Sequence, residues 1–334
     1  MNDKVRFAFV GLGRWSDQLA AGAKESGRIE IAAGLSRSDE KMAAFSEKFG
    51  GAPAKSFEDV LSDRGIDAIV LTTPNSLHTF QAVETARSGK HILVEKPMAL
   101  NVKDCRAMIA AAAEAGVVLA VGQNTRRTPR YRKAAELIRA GAIGDVVLAE
   151  ANQTRAQSYR IGGLWRDSRI ESPGGPLASF TIHQADAMNL LVGPVRRISA
   201  FTSKAWGPAA PEDAMVAALE FESGALGYLG GTMVTPDRNF FQVHWTGGVI
   251  LVDADGGACS IKKAGADTFE GFDMPDEDAQ RAISLAEEMD DFAAAIQEGR
   301  KPDVAGEEGM ATVAVMEAIV RSAESGAPVE VGSL

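Results

Sequence analysis

The segment FVGLGRWS, residues 9–16, decides the fold of the first part of the chain. In it an apolar run ends at Gly11 and Gly13, and a helix-forming stretch follows. Gly11 can turn tightly, Gly13 lets the backbone approach a pyrophosphate, and the N-terminus of the next helix faces that anion. Because the motif lies in the first strand–turn–helix unit, it predicts a dinucleotide site. The predicted turn also contains Arg14 and Trp15.

Short apolar runs alternate with helical stretches through the first third of the chain. The runs are VRFAFV, IEIAAGL, AIVLTT, HILVE and VVLAVG, and each is typical of a buried strand. A helix is predicted over residues 75–88 with Asn75 as its cap, and another over 101–115, beginning at Asn101 and stopping before Gly116. The alternation predicts an α/β fold with a doubly wound parallel sheet.

The pattern changes after about Gly122, and this change predicts two domains. The first, residues 1–122, is the nucleotide-binding domain, and the second, 123–334, is an α+β domain that binds substrate and forms oligomers. The second begins with a helix from Pro129 to about residue 140 that is ended by Gly141.

The rest of the second domain is predicted to be an open antiparallel sheet with helices. Its strands are VRRISAFTS, AMVAALEFE, GALGYLGG, FFQVHWT and GVILVDA, and consecutive strands with short turns indicate a meander. Helices are predicted through His183 to Leu191, over residues 277–298 and over 306–325. An open sheet leaves one face to cover, which favours a homodimer or homotetramer.

Composition excludes several classes of function. The net charge of −10 argues against a nucleic-acid or anionic-membrane surface, because both need clustered positive charge. Two distant cysteines, Cys105 and Cys259, give neither a disulfide framework nor a cysteine metal site, and they fit a reducing cytoplasm. The first apolar run leads straight into a glycine turn, so we expect a strand there and no signal peptide. No apolar run is long enough to span a bilayer, and no two-histidine spacing suggests a metal.

The residues after the second apolar run bear on which dinucleotide is bound. In a dinucleotide site, the residue that contacts the adenosine ribose lies about 20 residues after the glycine motif. Ser36 lies at that distance from Ser16. An acidic residue there would accept from the ribose hydroxyls of NAD and repel a 2′-phosphate. Ser36 and Arg37 can instead donate to the phosphate and neutralise it, so NADP is favoured, with NAD as the alternative.

Two turns follow later strands of the predicted sheet. The strand HILV ends in Glu95-Lys96-Pro97, which puts Lys96 at the carboxyl edge where open α/β sheets bind ligands. The preceding strand ends in Thr72-Thr73-Pro74-Asn75, with His78 one turn into the next helix. A Lys-Pro dipeptide alone is only a turn signal.

Several segments together resemble the Gfo/Idh/MocA family, the group of glucose–fructose oxidoreductase and inositol dehydrogenase. They are GLGRWS, TTPNSLHTFQAVETARSGKHILVEKPMAL, the Trp-Arg pair at 165–166, GGPLASFTIHQAD and the terminal EEGMATVAVMEAIVRSAESGAPVEV. The resemblance covers essentially the whole chain. It implies a Rossmann domain, a second α/β domain with a large open sheet, and hydride transfer between NAD or NADP and a sugar or polyol.

The resemblance also assigns roles to individual residues. It implies that Lys96 and His183 are catalytic and lie beside the substrate. Further positions that match the cofactor site are Thr73, Pro74, Asn75, His78, Glu95, Trp165 and Arg166. Substrate contacts are expected from Arg126, Trp165 and Ser179 in addition to the catalytic pair.

The sequence departs from the family pattern just before the histidine. Asp usually precedes that histidine by four residues and Gly often precedes it by two, whereas here the positions hold Ser179 and Thr181. A serine can hydrogen-bond but carries no charge, so it would raise the pKa of His183 less than a carboxylate would. We interpret Asp186, three residues after His183, as structural.

Three questions stay open at this stage. A set of seven arginines suggests a positive surface for an anionic substrate, unless they are solvated loop charges or contacts to the cofactor phosphates. They are Arg126, Arg127, Arg130, Arg155, Arg160, Arg166 and Arg169. The leading function is an NADP-dependent oxidoreductase of sugar-like alcohols and carbonyls. The alternatives are a non-catalytic nucleotide-binding regulator and a redox-assisted glycosidase that keeps its cofactor bound.

Overall fold

The computed structural model describes residues 4–140, 144–253 and 256–334. These residues form two compact units. The first contains residues 4–127 and 282–310, and the second contains the described part of 128–281 with 311–334. The sequence-based division after Gly122 places residues 282–310 in the second domain, whereas in the structure they belong to the first unit. The reason is apolar packing, because Leu285, Met289 and Phe292 belong to the core of the first unit.

The first unit is built on a six-stranded sheet whose strands are all parallel. The strands are β1 (Val5–Val10), β2 (Ile29–Leu35), β3 (Ala52–Pro53), β4 (Ala68–Leu71), β5 (His91–Glu95) and β6 (Leu119–Gly122). Their order is β3-β2-β1-β4-β5-β6, so the predicted doubly wound sheet is confirmed. The winding reverses between β1 and β4, and in such sheets ligands bind outside the carboxyl ends at this point.

Helices cover this sheet. They are α1 (Arg14–Glu25), α2 (Asp39–Phe49), α3 (Phe57–Ser62), α4 (His78–Arg87) and α5 (Val102–Ala115). The predicted start and stop of α5 are confirmed: Asn101 accepts a hydrogen bond from the Asp104 N–H, and Gly116 ends the helix in the left-handed conformation. The predicted capping by Asn75 is wrong. Pro74 holds the chain extended, and Asn75 lies inside a 3₁₀ turn, Asn75–Leu77, that precedes α4.

Aromatic side chains fill much of the core on one face of the first sheet. The ring centroids of Phe7 and Phe292 are 5.3 Å apart, those of Phe9 and Phe45 are 5.4 Å apart, and those of Phe45 and Phe49 are 5.0 Å apart. Such tilted pairs add about 0.5–1.5 kcal/mol each beyond the burial of their area. The packing holds β1, and hence the glycine turn after it, in a fixed position.

The second unit contains a nine-stranded sheet that is mixed but mostly antiparallel. Its strands are β7 (Val146–Thr154), β8 (Val195–Ser203), β9 (Ala214–Phe221), β10 (Leu226–Thr232), β11 (Arg238–Trp245), β12 (Gly248–Asp253), β13 (Ala258–Lys263), β14 (Glu270–Phe272) and β15 (Val329–Glu330). The order is β14-β13-β12-β11-β7-β10-β9-β8-β15.

The predicted uninterrupted meander is wrong at one place. Strand β7 lies between β10 and β11, parallel to β10 and antiparallel to β11. The connection from β10 to β11 spans residues 233–237, which can reach about 17 Å when extended. Stepping across one intervening strand needs only about 10 Å, so the short connection permits the insertion.

Four further helices complete the chain. They are α6 (Pro129–Arg139), α7 (Ile182–Leu191), α8 (Glu277–Glu298) and α9 (Gly306–Ser325). The predictions for α6, α8 and α9 are confirmed in place and length, whereas Gly141, the predicted stop of α6, lies outside the described residues. Throughout the described ranges, no helix is both long and apolar enough to cross a bilayer.

One face of the second sheet is open. Phe201 on β8 pairs with Val216 on β9, and Leu226 and Tyr228 follow on β10. All four side chains are exposed, Phe201 by 71%. By the two-residue alternation of strands they point to the same side of the sheet, so they form one apolar surface, which we call the open face.

Candidate active site

The turn after β1 requires a glycine at position 11. Gly11 has φ +98°, and a Cβ there would lie 2.8 Å from backbone atoms of Thr72 and Thr73. Its N–H donates to the Leu35 carbonyl at 2.9 Å, and the Thr72 hydroxyl donates to its carbonyl at 2.7 Å. The turn is thus held between the ends of β1, β2 and β4, which is the switch point of the sheet.

Gly13 serves a different purpose from Gly11. Its backbone is extended, and a Cβ there would meet no atom of the chain within 4 Å. The hydroxyl of Ser16 accepts from the Gly13 N–H at 2.8 Å and donates to the Gly13 carbonyl at 2.7 Å. Ser16, at the third glycine position, therefore fixes the first turn of α1. An accessible backbone at this helix start suits a pyrophosphate, so the residues present fit a dinucleotide.

The predicted cofactor-reading pair lies directly after β2. The Ser36 hydroxyl accepts from the Ser38 N–H at 3.3 Å, and Ser38 in turn caps α2. Arg37 is exposed, and within the described ranges its guanidinium makes no ion pair. The hydroxyl of Ser36 and the exposed guanidinium of Arg37 therefore lie at the carboxyl end of β2, the strand next to the glycine turn.

His78 joins the two turns that follow β4 and β5. The ring is fully buried, with Nε2 3.0 Å from the Thr73 carbonyl oxygen and Nδ1 2.9 Å from that of Pro97. The Thr73 hydroxyl also donates to the side chain of Gln81 at 2.5 Å. His78 thus holds backbone at the edge of the sheet, and Asn75 beside it is also buried.

Glu95 connects the glycine turn to the end of β5. Its buried carboxylate accepts from the indole N–H of Trp15 and from the backbone N–H of Lys96, the latter at 3.1 Å. A Cβ on Gly122 would come within 2.7 Å of the carboxylate, so β6 must carry glycine there. Lys96 is half-buried, and the Lys96–Pro97 peptide bond is cis.

In the second unit the predicted histidine follows an irregular turn. Residues Leu177–Thr181 form a π-helix, which continues as α7 with His183 half-buried in its first turn. π-helical turns are frequent at functional sites because they re-aim side chains. Ser179 lies in this turn, and the Thr181 hydroxyl sits where a Cβ on Gly231 would approach it to 2.4 Å.

The remainder of α7 is held by buried hydrogen bonds. The Asp186 carboxylate accepts from the Thr312 hydroxyl at 3.1 Å, in agreement with a structural role. The Tyr131 hydroxyl donates to the Gln184 side chain at 2.9 Å, and burial raises the pKa of Tyr131 to about 12. These contacts fix the helix that carries His183.

Trp165 and Arg166 lie in the long loop of the second unit. The Arg166 guanidinium stacks on the Trp165 ring at 4.1 Å, and the Ser172 hydroxyl donates to the Arg166 carbonyl at 3.0 Å. Both side chains are half-buried. The pair is therefore a preformed aromatic and cationic surface.

Most members of the arginine-rich segment are already paired. Arg127 binds Asp291 at 2.9 Å and Asp303 at 3.1 Å. The other ion pairs are Arg130–Glu277, Arg155–Asp237 and Arg169–Glu212. Four of the seven arginines are therefore paired with carboxylates, and the segment is less positive than the sequence alone suggests. Arg126 lies in the 3₁₀ turn Asn124–Arg127 of the first unit and is half-buried.

The sequence interpretation missed a buried acidic group near Glu95. Glu288 on α8 is 2% exposed and belongs to the first unit. Its signal in the sequence is a row of polar residues at helical spacing, formed by Ser284, Glu288 and Asp291. Across the described ranges, no group of three or more histidine, cysteine or acidic side chains is arranged to hold a metal ion.

Family models and known proteins match nearly the whole chain. Residues 5–123 match the model described as an oxidoreductase family with an NAD-binding Rossmann fold, and 135–331 match that family's C-terminal alpha/beta domain. The chain is 28% identical to 1,5-anhydro-D-fructose reductase of Ensifer adhaerens over 98% of both chains. It is 29% identical to D-xylose 1-dehydrogenase (NADP(+)) 2 of Haloferax volcanii, covering 92% of this chain and 94% of that one.

A solved structure gives the same result in three dimensions. Aldose-aldose oxidoreductase from Caulobacter crescentus, complexed with glycerol, superposes with a TM-score of 0.88 at 27% identity. The superposition covers 98% of this chain and 99% of that one.

Proposed function

The chain belongs to the Gfo/Idh/MocA family of oxidoreductases, and we propose that it transfers a hydride between nicotinamide C4 and a carbon of a sugar, polyol or related cyclic alcohol or carbonyl. A bound nicotinamide dinucleotide supplies the hydride chemistry. The residues of this chain supply binding, orientation and a path for the proton. The relatives named for anhydrofructose reduction and xylose oxidation support a sugar-like substrate.

The observation that carries this proposal is the contact of Glu95 with both Trp15 and Lys96. One carboxylate fixes the residue after the glycine turn and the backbone of the lysine at the end of β5. The lysine is therefore held in register with the dinucleotide turn. Lys96 takes the proton from the substrate hydroxyl in oxidation and returns it in reduction.

The second unit supplies the substrate side of the proposal. His183 acts as a second proton carrier or as a hydrogen-bonding partner of the substrate. Ser179 contacts the substrate without adding charge. Trp165 of this unit and Arg126 of the first unit would contact the substrate, and Arg166 would help to hold the cofactor.

The cofactor is NADP in this proposal. Ser36 and the exposed Arg37 stand where the ribose would be read, and no carboxylate occupies position 36 to repel a 2′-phosphate. NAD is the alternative. The name of the Haloferax relative, an NADP(+) enzyme, agrees with this choice.

The decisive experiment is a panel of sugars, polyols and sugar acids assayed with NADP(H) in both directions. For one active substrate, Lys96→Ala should lower kcat about 10²–10⁴-fold, the usual contribution of a general acid–base group, and should keep NADPH affinity within about threefold. Lys103→Ala, an exposed lysine of the same unit, is the matched control. Unchanged turnover in Lys96→Ala would remove the lysine from the mechanism. Binding without any turnover would indicate a regulator, and hydrolysis with retained cofactor a glycosidase.

A second experiment tests the cofactor. Arg37→Ala should weaken NADPH binding about 10–100-fold, the size of one charge-assisted contact, and leave NADH binding within about twofold. Nicotinamide fluorescence measures both affinities, and Arg64→Ala is a matched exposed arginine in the same unit. Equal losses for NADPH and NADH, or no loss, would contradict the assignment.

The open face supports a homodimer or homotetramer. A second copy of the chain can cover Phe201, Val216 and their neighbours with the same apolar surface. Phe201→Glu should shift the molecular mass in light scattering toward that of a monomer. Phe269→Glu, an exposed phenylalanine outside the sheet, should leave the mass unchanged. A monomeric wild-type protein would refute the proposal.

A further inference from the structure

One face of α8 in the first unit is polar yet buried. Ser284, Glu288 and Asp291 follow at intervals of four and three residues, so they lie along one face of the helix. Ser284 is fully buried and Glu288 is 2% exposed. A buried row of this kind needs partners, since each unpaired polar group costs free energy of folding.

Two of the three residues find partners in the turn after β6. The Asn124 amide donates to the Ser284 hydroxyl at 3.2 Å, and Arg127 donates to Asp291 at 2.9 Å. The α8 face therefore runs along Asn124–Arg127, with Glu288 between its two anchored neighbours. The charge of Arg127 is already shared by Asp291 and Asp303.

Glu288 differs from its neighbours on this face in its hydrogen bonding. Among the side chains that the structure describes, neither of its carboxyl oxygens has a hydrogen-bond partner. The same holds for the buried amide oxygens of Gln123 and Asn124 in the adjoining turn. A carboxylate only accepts, whereas a carboxylic acid can donate one hydrogen bond. Without donors from the described residues, a neutral Glu288 therefore costs less free energy to bury than a carboxylate would.

The charges around Glu288 lead to the same result. Burial raises the pKa of Glu288 most, the Glu95 carboxylate raises it further, Arg127 opposes this, and Asp291 adds to it. Glu95 lies at the end of β5 and Arg127 in the turn after β6. Of these groups, only Arg127 favours the charged form of Glu288, and its guanidinium already pairs with Asp291 and Asp303. When two carboxyl groups are desolvated and interact, the charge of one disfavours ionisation of the other.

We propose that Glu288 is a positioning residue that carries a proton at neutral pH and thereby keeps Glu95 ionised. Ionised Glu95 is the form that accepts from both Trp15 and the Lys96 N–H. A second negative charge at 288 would favour protonation of Glu95, which would then lose one of its two acceptor positions. The effect of Glu288 on turnover rests on the function proposed above. The protonation of Glu288 is independent of that function.

The test is infrared spectroscopy of the full chain labelled with ¹³C-glutamate, with no substrate or cofactor. The wild type should show the carbonyl stretch of a protonated glutamic acid at pH 7. Glu288→Gln should lack this band. Glu298→Gln, which removes an exposed carboxylate from the same helix, should keep it. Absence of the band in the wild type, or its persistence in Glu288→Gln, would overturn the proposal.

Coupling to Glu95 has a separate measurement that does not depend on folding of the Glu288 variant. In Glu95→Gln the like charge is removed, so the midpoint of the infrared titration should fall by about one pH unit or more. An unchanged midpoint would show that the two groups do not interact. Both results are independent of whether a sugar substrate is found, so failure of the proposed activity and failure of this inference are distinguishable.

Discussion

Glu288 in the first unit and Asp213 in the second are both almost completely buried, and the two carboxyl groups have opposite surroundings. Among the residues that the structure describes, neither carboxyl oxygen of Glu288 has a hydrogen-bond partner, and the charge of Glu95 raises the pKa of Glu288 further. Asp213 in the second unit accepts from the backbone N–H groups of Ala205, Trp206 and Gly207 and from Lys204. Both side chains have almost no exposed surface, and hydrogen-bond donors like those around Asp213 favour the charged form of such an acid.

The pKa directions express this difference. Burial by itself would raise the pKa of Asp213, but the N–H groups of Trp206, Gly207 and Ala205 and the Lys204 ammonium hold it below the usual range. Burial and the Glu95 charge instead raise the pKa of Glu288. The two groups must therefore affect stability with opposite dependence on pH.

The largest expected effect is that of Asp213→Asn. The variant removes the charge but leaves three backbone donors facing an amide, so it should lower the free energy of unfolding by about 3 kcal/mol at pH 7. The folded pKa is depressed, so this stabilisation is present above the unfolded pKa of about 4 and is lost as pH falls through the folded value. Urea denaturation measures the loss.

A matched control isolates the donors in that experiment. Asp237→Asn removes an exposed aspartate of the same unit that pairs only loosely with Arg155, and it should cost less than about 1 kcal/mol. If both variants lowered the free energy of unfolding equally, the donors around Asp213 would not stabilise its charge.

The next effect is the reverse dependence at Glu288. Its folded pKa is raised, so its contribution to stability is fully present below the unfolded pKa of about 4.3 and falls as pH rises toward the folded value. Glu288→Gln cannot titrate, so its stability relative to wild type should grow by about 1.4 kcal/mol per pH unit between those two values. Thermal unfolding from pH 5 upward measures this. A constant difference across that range would contradict a protonated Glu288.

The smallest expected effect is that of Ser179→Asp, which tests whether position 179 influences the charge state of His183. Ser179→Asp places a new carboxylate four residues before the histidine, the position at which an opposite charge supports the imidazolium. The fold should be kept, and the midpoint of the kcat/KM profile that reports His183 should rise by less than about one pH unit. Ser179→Asn, a polar change without charge at the same position, serves as the uncharged control. A profile identical to wild type would show that position 179 does not communicate with the reacting centre.

Much of the fold follows from local sequence patterns. Strand β8 and helices α8 and α9 end where periodicity and capping residues predict, because hydrophobic alternation and helix stop signals act over a few residues. The cap at Asn101 is of this kind. The predicted cap at Asn75 is wrong since the extended Pro74 delays the helix, and an intervening 3₁₀ turn has little pattern of its own.

The candidate site was predictable only in part. Gly11, Gly13 and the Glu95-Lys96-Pro97 turn could be placed because strand ends in a parallel sheet meet at one edge. The ion pairs of the arginine-rich segment could not be predicted, since acidic partners such as Asp291 and Glu212 are distant in sequence. The contact between Trp15 and Glu95 joins residues 80 positions apart, and no local pattern reports such a pair.

By itself, the sequence determined the doubly wound first sheet, the glycine turn and the lysine at the end of β5, because each depends on neighbours along the chain. Only the tertiary structure decided that β7 enters between β10 and β11, that residues 282–310 complete the first unit, and that Glu288 stands near Glu95. The physical reason is that charge state and strand order depend on which distant groups are brought together. An acidic residue on a helix reads the same in sequence whether donors or carboxylates face it.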